Sequence, residues 1–354
     1  MTSWDGAAFR AQVQGALEEF LDEMAARLEP LGPDAARLLA EAGTSVSGGK
    51  RFRAAFCYWG YRAVRDDVPD EAALVRACAA LELLHASALV HDDYMDASDT
   101  RRGRPATHRT FTDEHAQAGW RGDAGQYGAS AAILLGDLLL SWADELLRRC
   151  GLPLPEVAAA MDVFDICRSE VIAGQFLDVS VQARGQADVD AAMTVLRYKS
   201  AKYSIERPLH IGAALAGGSP ESLTELSSFG LPLGEAFQLR DDLLGVFGDA
   251  ATTGKPAGDD LVEGKRTVLV ALALDAADAE GTARLDRMLG TPLGAGQVAE
   301  ARRIIDESGA HAQVEMVIKE LADRALAALD HAPMTAQARV VLRELASAAT
   351  DRVV

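Results

Sequence analysis

Two aspartate-rich clusters constrain this 354-residue chain more than any other feature. The first is Asp92-Asp93-Tyr94-Met95-Asp96, followed by Arg101-Arg102; the second is Asp241-Asp242, within Phe237-Gln238-Leu239-Arg240-Asp241-Asp242-Leu243-Leu244-Gly245. On a helix, Asp92 and Asp96 are four apart and share a face. Carboxylates crowded there repel one another, and a divalent cation relieves the repulsion. Magnesium suits such a place: it takes hard oxygen ligands, uses one or two carboxylates and leaves its other positions to substrate phosphates. Acidic doublets are usually solvated surface, but the flanks argue otherwise. Ala79 to His91 runs into the first cluster almost without charge, and Ser227 to Leu239 approaches the second with Glu235 and Gln238 as its main polar interruptions. Carboxylates that close apolar helices look inward. Two acidic helix ends facing one cavity can hold a metal–diphosphate cluster between them.

Further motifs lie in order along the chain: Gly48-Gly49-Lys50-Arg51-Phe52-Arg53, Gly174-Gln175-Phe176-Leu177-Asp178, Tyr198-Lys199-Ser200-Ala201-Lys202-Tyr203, Gly254-Lys255-Pro256 and Gly264-Lys265-Arg266-Thr267. With the two Asp clusters they make the chain resemble the trans-isoprenyl diphosphate synthases (the polyprenyl synthetase family), most of all those that make geranylgeranyl diphosphate. The resemblance extends from about Gly48 to Thr267. It implies an all-α fold, a single-domain helical bundle around a central cavity (the isoprenoid synthase type I fold), with residues 1–354 as one domain.

The implied reaction joins isopentenyl diphosphate head to tail to an allylic diphosphate. Negative charge develops on the departing diphosphate, so cations must be aimed at it. By the resemblance, Asp92, Asp96 and Asp241 are direct magnesium ligands, with Asp93 and Asp242 supporting them indirectly, and each site takes roughly three Mg2+. Lys199, Lys255 and Lys265 bind the allylic diphosphate as point charges, with Arg101 as a further donor. Lys50, Arg53, His85 and Arg102 resemble the metal-free isopentenyl diphosphate pocket; His85 lies two helical turns before Asp92 on the same face. The carbocation needs electron-rich neighbours that do not attack it. Backbone carbonyls near Lys199 and Ser200, and the Gln238 side-chain oxygen, are the implied ones; the released diphosphate is the base for the final proton. Two positions depart from the family pattern: Ser200 stands where threonine is usual, and Gly245 stands where a third Asp closes the second cluster, with Asp249 one turn beyond.

Apolar residues make up 49% of the chain and aromatic ones 6%, and asparagine is absent, a mix that favours helix. The net charge of −18 argues against nucleic acid and anionic membranes as partners. The partners expected are the two diphosphate substrates and a second copy of the chain, since the family commonly pairs through helical faces. Cys57, Cys78, Cys150 and Cys167 lie in helical stretches without CxxC spacing and read as buried free thiols of a reducing compartment. The early Trp4 and Asp5 and the acids at Glu18, Glu19, Asp22 and Glu23 leave no signal-peptide pattern. No unbroken apolar run of about 18–20 residues marks an integral membrane span, and a cytoplasmic protein is expected.

Helices are expected over 5–29, 34–43, 50–65, 70–96, 127–149, 155–183, 188–216 and 220–247, with long active-site loops at 97–126 and 248–266. Residues 267–353 read as helical with turns near Gly290–Gly296 and Pro333, and with a packing role.

A growing prenyl chain descends from the metal site along the helix before Asp92, about 5.4 Å per turn. Ser87 and Ala88, one turn down, are small. Leu84 and Leu81 follow, then Ala77, with Trp142 on a later helix as a candidate floor. The reading is a C20 product, with a longer polyprenyl or a farnesyl diphosphate as alternatives. Two rival functions stand beside it. A class I terpene cyclase spaces its second metal motif as Asp137, Ser141 and Glu145 are spaced; an amphipathic helix with incidental polar residues explains those three as well. A non-catalytic partner subunit would have lost metal ligands or basic residues, and this chain keeps nearly the whole set.

Overall fold

The computed structural model describes residues 4–185, 188–248 and 258–350. Helix α1 (Gly6–Leu28) starts where the Asp5 side chain accepts hydrogen bonds from the Ala7 and Ala8 amides. After Pro30 come α2 (Pro33–Val46), α3 (Phe52–Val64) and α4 (Glu71–Met95). Asp70 caps α4 by accepting from the Ala73 amide, and α4 ends at Asp96, with Ala97 in the left-handed region at φ 53°. Among the described residues α4 alone is long and apolar enough to cross a membrane. Most of that stretch is buried inside the protein, against α1, α3 and α6 (Ala124–Arg148), so α4 is the core helix of the fold.

The segment expected as a loop at 97–126 holds more structure than that. Strands β1 (Thr100–Arg101) and β2 (Arg104–Pro105) pair antiparallel, and a helix, α5, spans Thr107–Ala118. The buried face of α5 is Thr107, His108, Phe111 and His115. Only one of those four is apolar, so the 3.6-residue period was hidden; Gly119, left-handed at φ 63°, ends the helix.

Helix α7 (Leu154–Arg184) leads to the largest departure from the expected pattern. The helix expected over 188–216 is three pieces: α8 (Val189–Val195), a π-helix over Leu196–Glu206, and α9 (Arg207–Leu215). The wide π segment is held on both sides at glycines. A β-carbon at Gly174 of α7 would lie 2.5 Å from the Lys199 amide nitrogen, and one at Gly234 of α10 (Pro220–Phe247) 2.5 Å from the Ala201 carbonyl oxygen. No real side chain tolerates that approach, so both sites require glycine.

Helix α11 (Asp259–Glu263) lies within the segment expected as the second loop. The remainder is α12 (Val268–Ala276), α13 (Ala279–Met288), α14 (Ala295–Glu307), α15 (Ala310–His331) and α16 (Ala336–Thr350), with more turns than expected. One apolar core surrounds α3, α4, α6 and α7; a second lies under α12 to α15. Helix α10 runs through both, Leu226, Phe229 and Leu233 in the first and Leu239, Leu243 and Val246 in the second. The four cysteines are buried free thiols.

Candidate active site

Both Asp clusters sit near helix C-termini, the first in the last turn of α4 and the second two turns before the end of α10. The backbone dipole is negative at the end of a helix, so the carboxylates of Asp92, Asp93 and Asp96 add to negative charge already there. Lysines answer that charge. Lys199 Nζ from the π segment lies 2.6 Å from Asp178 and 3.2 Å from Asp92. Lys265 Nζ lies 3.2 Å from Asp96 and 3.5 Å from Asp260, and also pairs with Glu263. Gln175 Nε2 donates to Asp92 at 3.0 Å.

Burial alone would raise the Asp92 pKa, but Lys199, Lys265 and Arg101 outweigh it and hold the carboxyl well below its usual range. Asp96 goes the other way, raised by burial and then by the charge of Asp92. Both lysines stay firmly protonated: burial works against their charge, but the surrounding carboxylates prevail.

Asp93 and Asp242 are buried, whereas Asp241 is exposed and Asp92 and Asp96 are half-buried. Asp93 is engaged by Arg101, whose Nε donates to it at 2.8 Å. Asp242 accepts from Gln238 Nε2 at 2.8 Å, and the Gln238 amide oxygen has no partner among the described residues. Burial, and then the charges of Asp260 and Asp241, push Asp242 up to about 8 against the Gln238 hydrogen bond. The Lys265 charge, which pairs with Asp96, also works against the raised pKa of Asp242.

The missing third Asp has a structural counterpart. Gly245 follows Asp241 by one turn, and a β-carbon there would overlap the Asp260 carboxylate. Helix α11 therefore delivers a carboxylate to the place that α10 leaves vacant. Asp249, like Gly254, Lys255 and Pro256, lies outside the described residues.

A second, cationic group lies around His85. Burial, then the charges of Arg53, Arg102, Arg101 and Arg51, hold its imidazole well below the ordinary value, so it is neutral. Arg102 Nη1 donates to the Ser47 carbonyl at 2.8 Å, and burial and Arg51 lower the pKa of its guanidinium. Arg53 Nε is buried without a hydrogen-bond partner among the described residues. Cations gathered this closely, with a donor left over, make a place for an anion. Lys50 is exposed and lines a cavity of about 550 Å³ with Trp4, Phe9, Phe52 and Leu345. Arg51, which lies in the same motif, is structural: it is buried, pairs with Glu82 at 3.0 Å and donates to the Val46 carbonyl.

Ser200 is half-buried on the π segment. Leu81, Leu84 and Ser87 are buried on α4, Ala88 is half-buried, and Trp142 packs against Phe20. The rival triad does not converge on a metal. Asp137 is exposed beside His91 at 3.7 Å, Ser141 donates back to the Asp137 carbonyl, and Glu145 is taken by Arg27 at 2.9 Å and Arg149 at 2.5 Å. Sequence reasoning gave no site role to Asp178, Asp260, Glu263 or Tyr203. Asp178 and Tyr203 each stood inside a quoted motif, which was the available signal.

Residues 36–307 match the family described as Polyprenyl synthetase. The chain belongs to the polyprenyl synthetase family. It is similar to the short chain isoprenyl diphosphate synthase of Methanothermobacter thermautotrophicus, 34% identical over 299 residues that cover 84% of this chain and 82% of that one. It is also similar to the all-trans-nonaprenyl-diphosphate synthase (geranyl-diphosphate specific) of Rhodobacter capsulatus, 29% identical over 97% of this chain and 96% of that one. Among solved structures, the geranylgeranyl pyrophosphate synthase of Corynebacterium glutamicum, complexed with isoprenyl diphosphate and magnesium, superposes with a TM-score of 0.96 at 39% identity, covering 99% of this chain and 100% of that one. This polyprenyl synthetase is therefore an all-α prenyltransferase that elongates prenyl diphosphates.

Proposed function

We propose that this polyprenyl synthetase joins isopentenyl diphosphate head to tail to an allylic diphosphate with Mg2+, on the order of three ions per site, and releases geranylgeranyl diphosphate. The observation that carries the reading is the division of charge around α4. Carboxylates paired with Lys199 and Lys265 lie at its C-terminus, and an arginine-rich pocket surrounds His85 two turns earlier. One end suits a metal-bound diphosphate that leaves, the other a diphosphate that stays.

The acidic residues fit a divalent cation. They are hard oxygen donors near helix C-termini, and burial, with the charge of neighbouring carboxylates behind it, raises the pKa values of Asp96 and Asp242 despite Lys265. Asp92, Asp96 and Asp241 would hold the metal, with Asp93 and Asp242 behind them, and Asp260 joins this group. When bound, magnesium supplies positive charge to the departing diphosphate. Lys199, Lys265 and Lys255 bind the same diphosphate, while Arg101 orients Asp93. Arg53, His85, Arg102 and Lys50 bind the second one. The Gln238 amide oxygen and the backbone carbonyls beside Lys199 and Ser200 would offer electron density to the cation, on a π segment of the kind often found at functional sites. Ser87 and Ala88 admit the growing chain, and Leu84 and Leu81 stop it.

Residues 1–354 act as one domain, supported by α10 crossing both cores, and pair with a second copy through α6 and α7. Leu134 (61% exposed), Ile172 (56%) and Phe176 (73%) leave apolar surface there. The protein works in the cytoplasm.

The test is incubation with magnesium, labelled isopentenyl diphosphate and, separately, dimethylallyl, geranyl and farnesyl diphosphates, with products sized after phosphatase treatment. A linear C20 alcohol is expected, and Asp241→Asn should lower kcat by about 10²–10³-fold. C30 or longer products would refute the tunnel floor, and hydrocarbon released from a prenyl diphosphate alone would refute the elongation reading.

A further inference from the structure

Tyr203 lies four residues past Lys199 on the π segment, with its ring buried. Its hydroxyl is 2.8 Å from His85 Nδ1. The Arg53 guanidinium lies over the same ring, 4.2 Å from the centroid, and its Nη2 donates to Ser204 Oγ at 2.8 Å. One aromatic side chain thus touches two of the residues assigned above to isopentenyl diphosphate.

The direction of the Tyr203–His85 hydrogen bond follows from counting protons. Burial raises the phenol pKa, so it keeps its proton, and the imidazole is neutral. Among the described residues His85 is the hydroxyl's hydrogen-bond partner. Were the imidazole proton on Nδ1, it would point at the phenol oxygen, and the phenol proton would be left buried without an acceptor. The hydroxyl therefore donates and Nδ1 accepts. A neutral imidazole has a single N–H, which must then be on Nε2. That nitrogen has no protein partner among the described residues, and the ring is half-buried.

We propose that Tyr203 is a positioning residue for the isopentenyl diphosphate pocket: its hydroxyl fixes His85 as the Nε2–H tautomer, ready to donate to the diphosphate, while its ring holds Arg53. The proposal rests on the reading of His85 and Arg53 as ligands of that substrate. It also gives the π segment two duties, since Lys199 faces the allylic side and Tyr203 supports the other.

Tyr203→Phe separates the two functions of the side chain, because the ring stays under Arg53 and only the hydroxyl goes. KM for isopentenyl diphosphate should rise about tenfold, with KM for the allylic partner unchanged and kcat within about threefold. In ¹⁵N-histidine-labelled protein, the His85 signals, assigned by their loss in His85→Gln, should show Nε2–H in the wild type and a mixture of tautomers in Tyr203→Phe. An Nδ1–H tautomer in the wild type overturns the proposal even if the variant fails to fold. So does an unchanged KM for isopentenyl diphosphate in Tyr203→Phe when His85→Gln raises it. If His85→Gln itself leaves that KM unchanged, the pocket assignment fails instead.

Discussion

His210 sits where three charged or polar neighbours meet. Ser227 Oγ lies 3.0 Å from its Nε2 and Arg207 Nη1 3.1 Å from its Nδ1, and Glu206 is beside it. Burial, with help from the Arg207 charge, holds its pKa well below the ordinary 6.5, against the pull of Glu206. A folded-state pKa below the unfolded one means that the unfolded chain takes up the proton first. The stabilisation is complete above about pH 6.5 and is lost as pH falls through the folded value, by about 1.4 kcal/mol per unit of separation. Denaturant unfolding at pH 7 and pH 5 should show a lower midpoint at pH 5, and His210→Gln should flatten the difference. An equal pH 5 to pH 7 drop in the variant would assign the effect to other groups. The neighbouring salt bridges tie this histidine to the π segment: Glu170 of α7 accepts from Lys202 at 2.8 Å and from Arg207 Nε at 2.7 Å.

Among the elements, α4 carries both the chemistry and the ruler on the proposed reading. Leu81 and Leu84 are buried on it, beneath Ser87. Leu81→Ala or Leu84→Ala should lengthen the product by about one isoprene unit, since one turn rises about 5.4 Å; an unchanged product distribution in both would refute the tunnel assignment. Each truncation costs about 2–5 kcal/mol, so thermal unfolding must accompany the product analysis. Helix α4 was legible in the sequence because an apolar run ending in acids admits few other folds. The segment around Lys199 was legible only in part. Its residues were identifiable, but a π turn has no residue signature that distinguishes it from an α turn; the widening shows itself only where Gly174 and Gly234 make room. Helix α5 escaped notice because its buried side includes two histidines and a threonine. Asp260 and Glu263 were overlooked for another reason. A residue between two motifs is legible as a charge, whereas its return to Gly245 or Ser98 depends on tertiary contacts.

For the whole molecule, the exposed apolar side chains of α6 and α7 bear on assembly. A stable interface buries about 800 Å² on each partner, and Leu134, Ile172 and Phe176 lie on long, regular helices suited to self-pairing. Light scattering should give the mass of two chains, and Phe176→Glu should shift it toward one. A monomeric wild type at micromolar concentration would refute the pairing. With a net charge of −18, the molecule as a whole repels its anionic substrates, so capture depends on what the site itself holds. In this state Asp92 and Asp96 are paired with Lys199 and Lys265 as two internal ammonium–carboxylate salts. On the proposed reading, loading would be a metathesis: Asp92 and Asp96 would hold a divalent cation in place of their ammonium partners, and Lys199 and Lys265 would hold diphosphate in place of theirs. Either reagent alone leaves half of the exchange stranded. Magnesium and diphosphate should therefore each tighten the binding of the other by the same factor, and calorimetric titrations run in both orders would measure it.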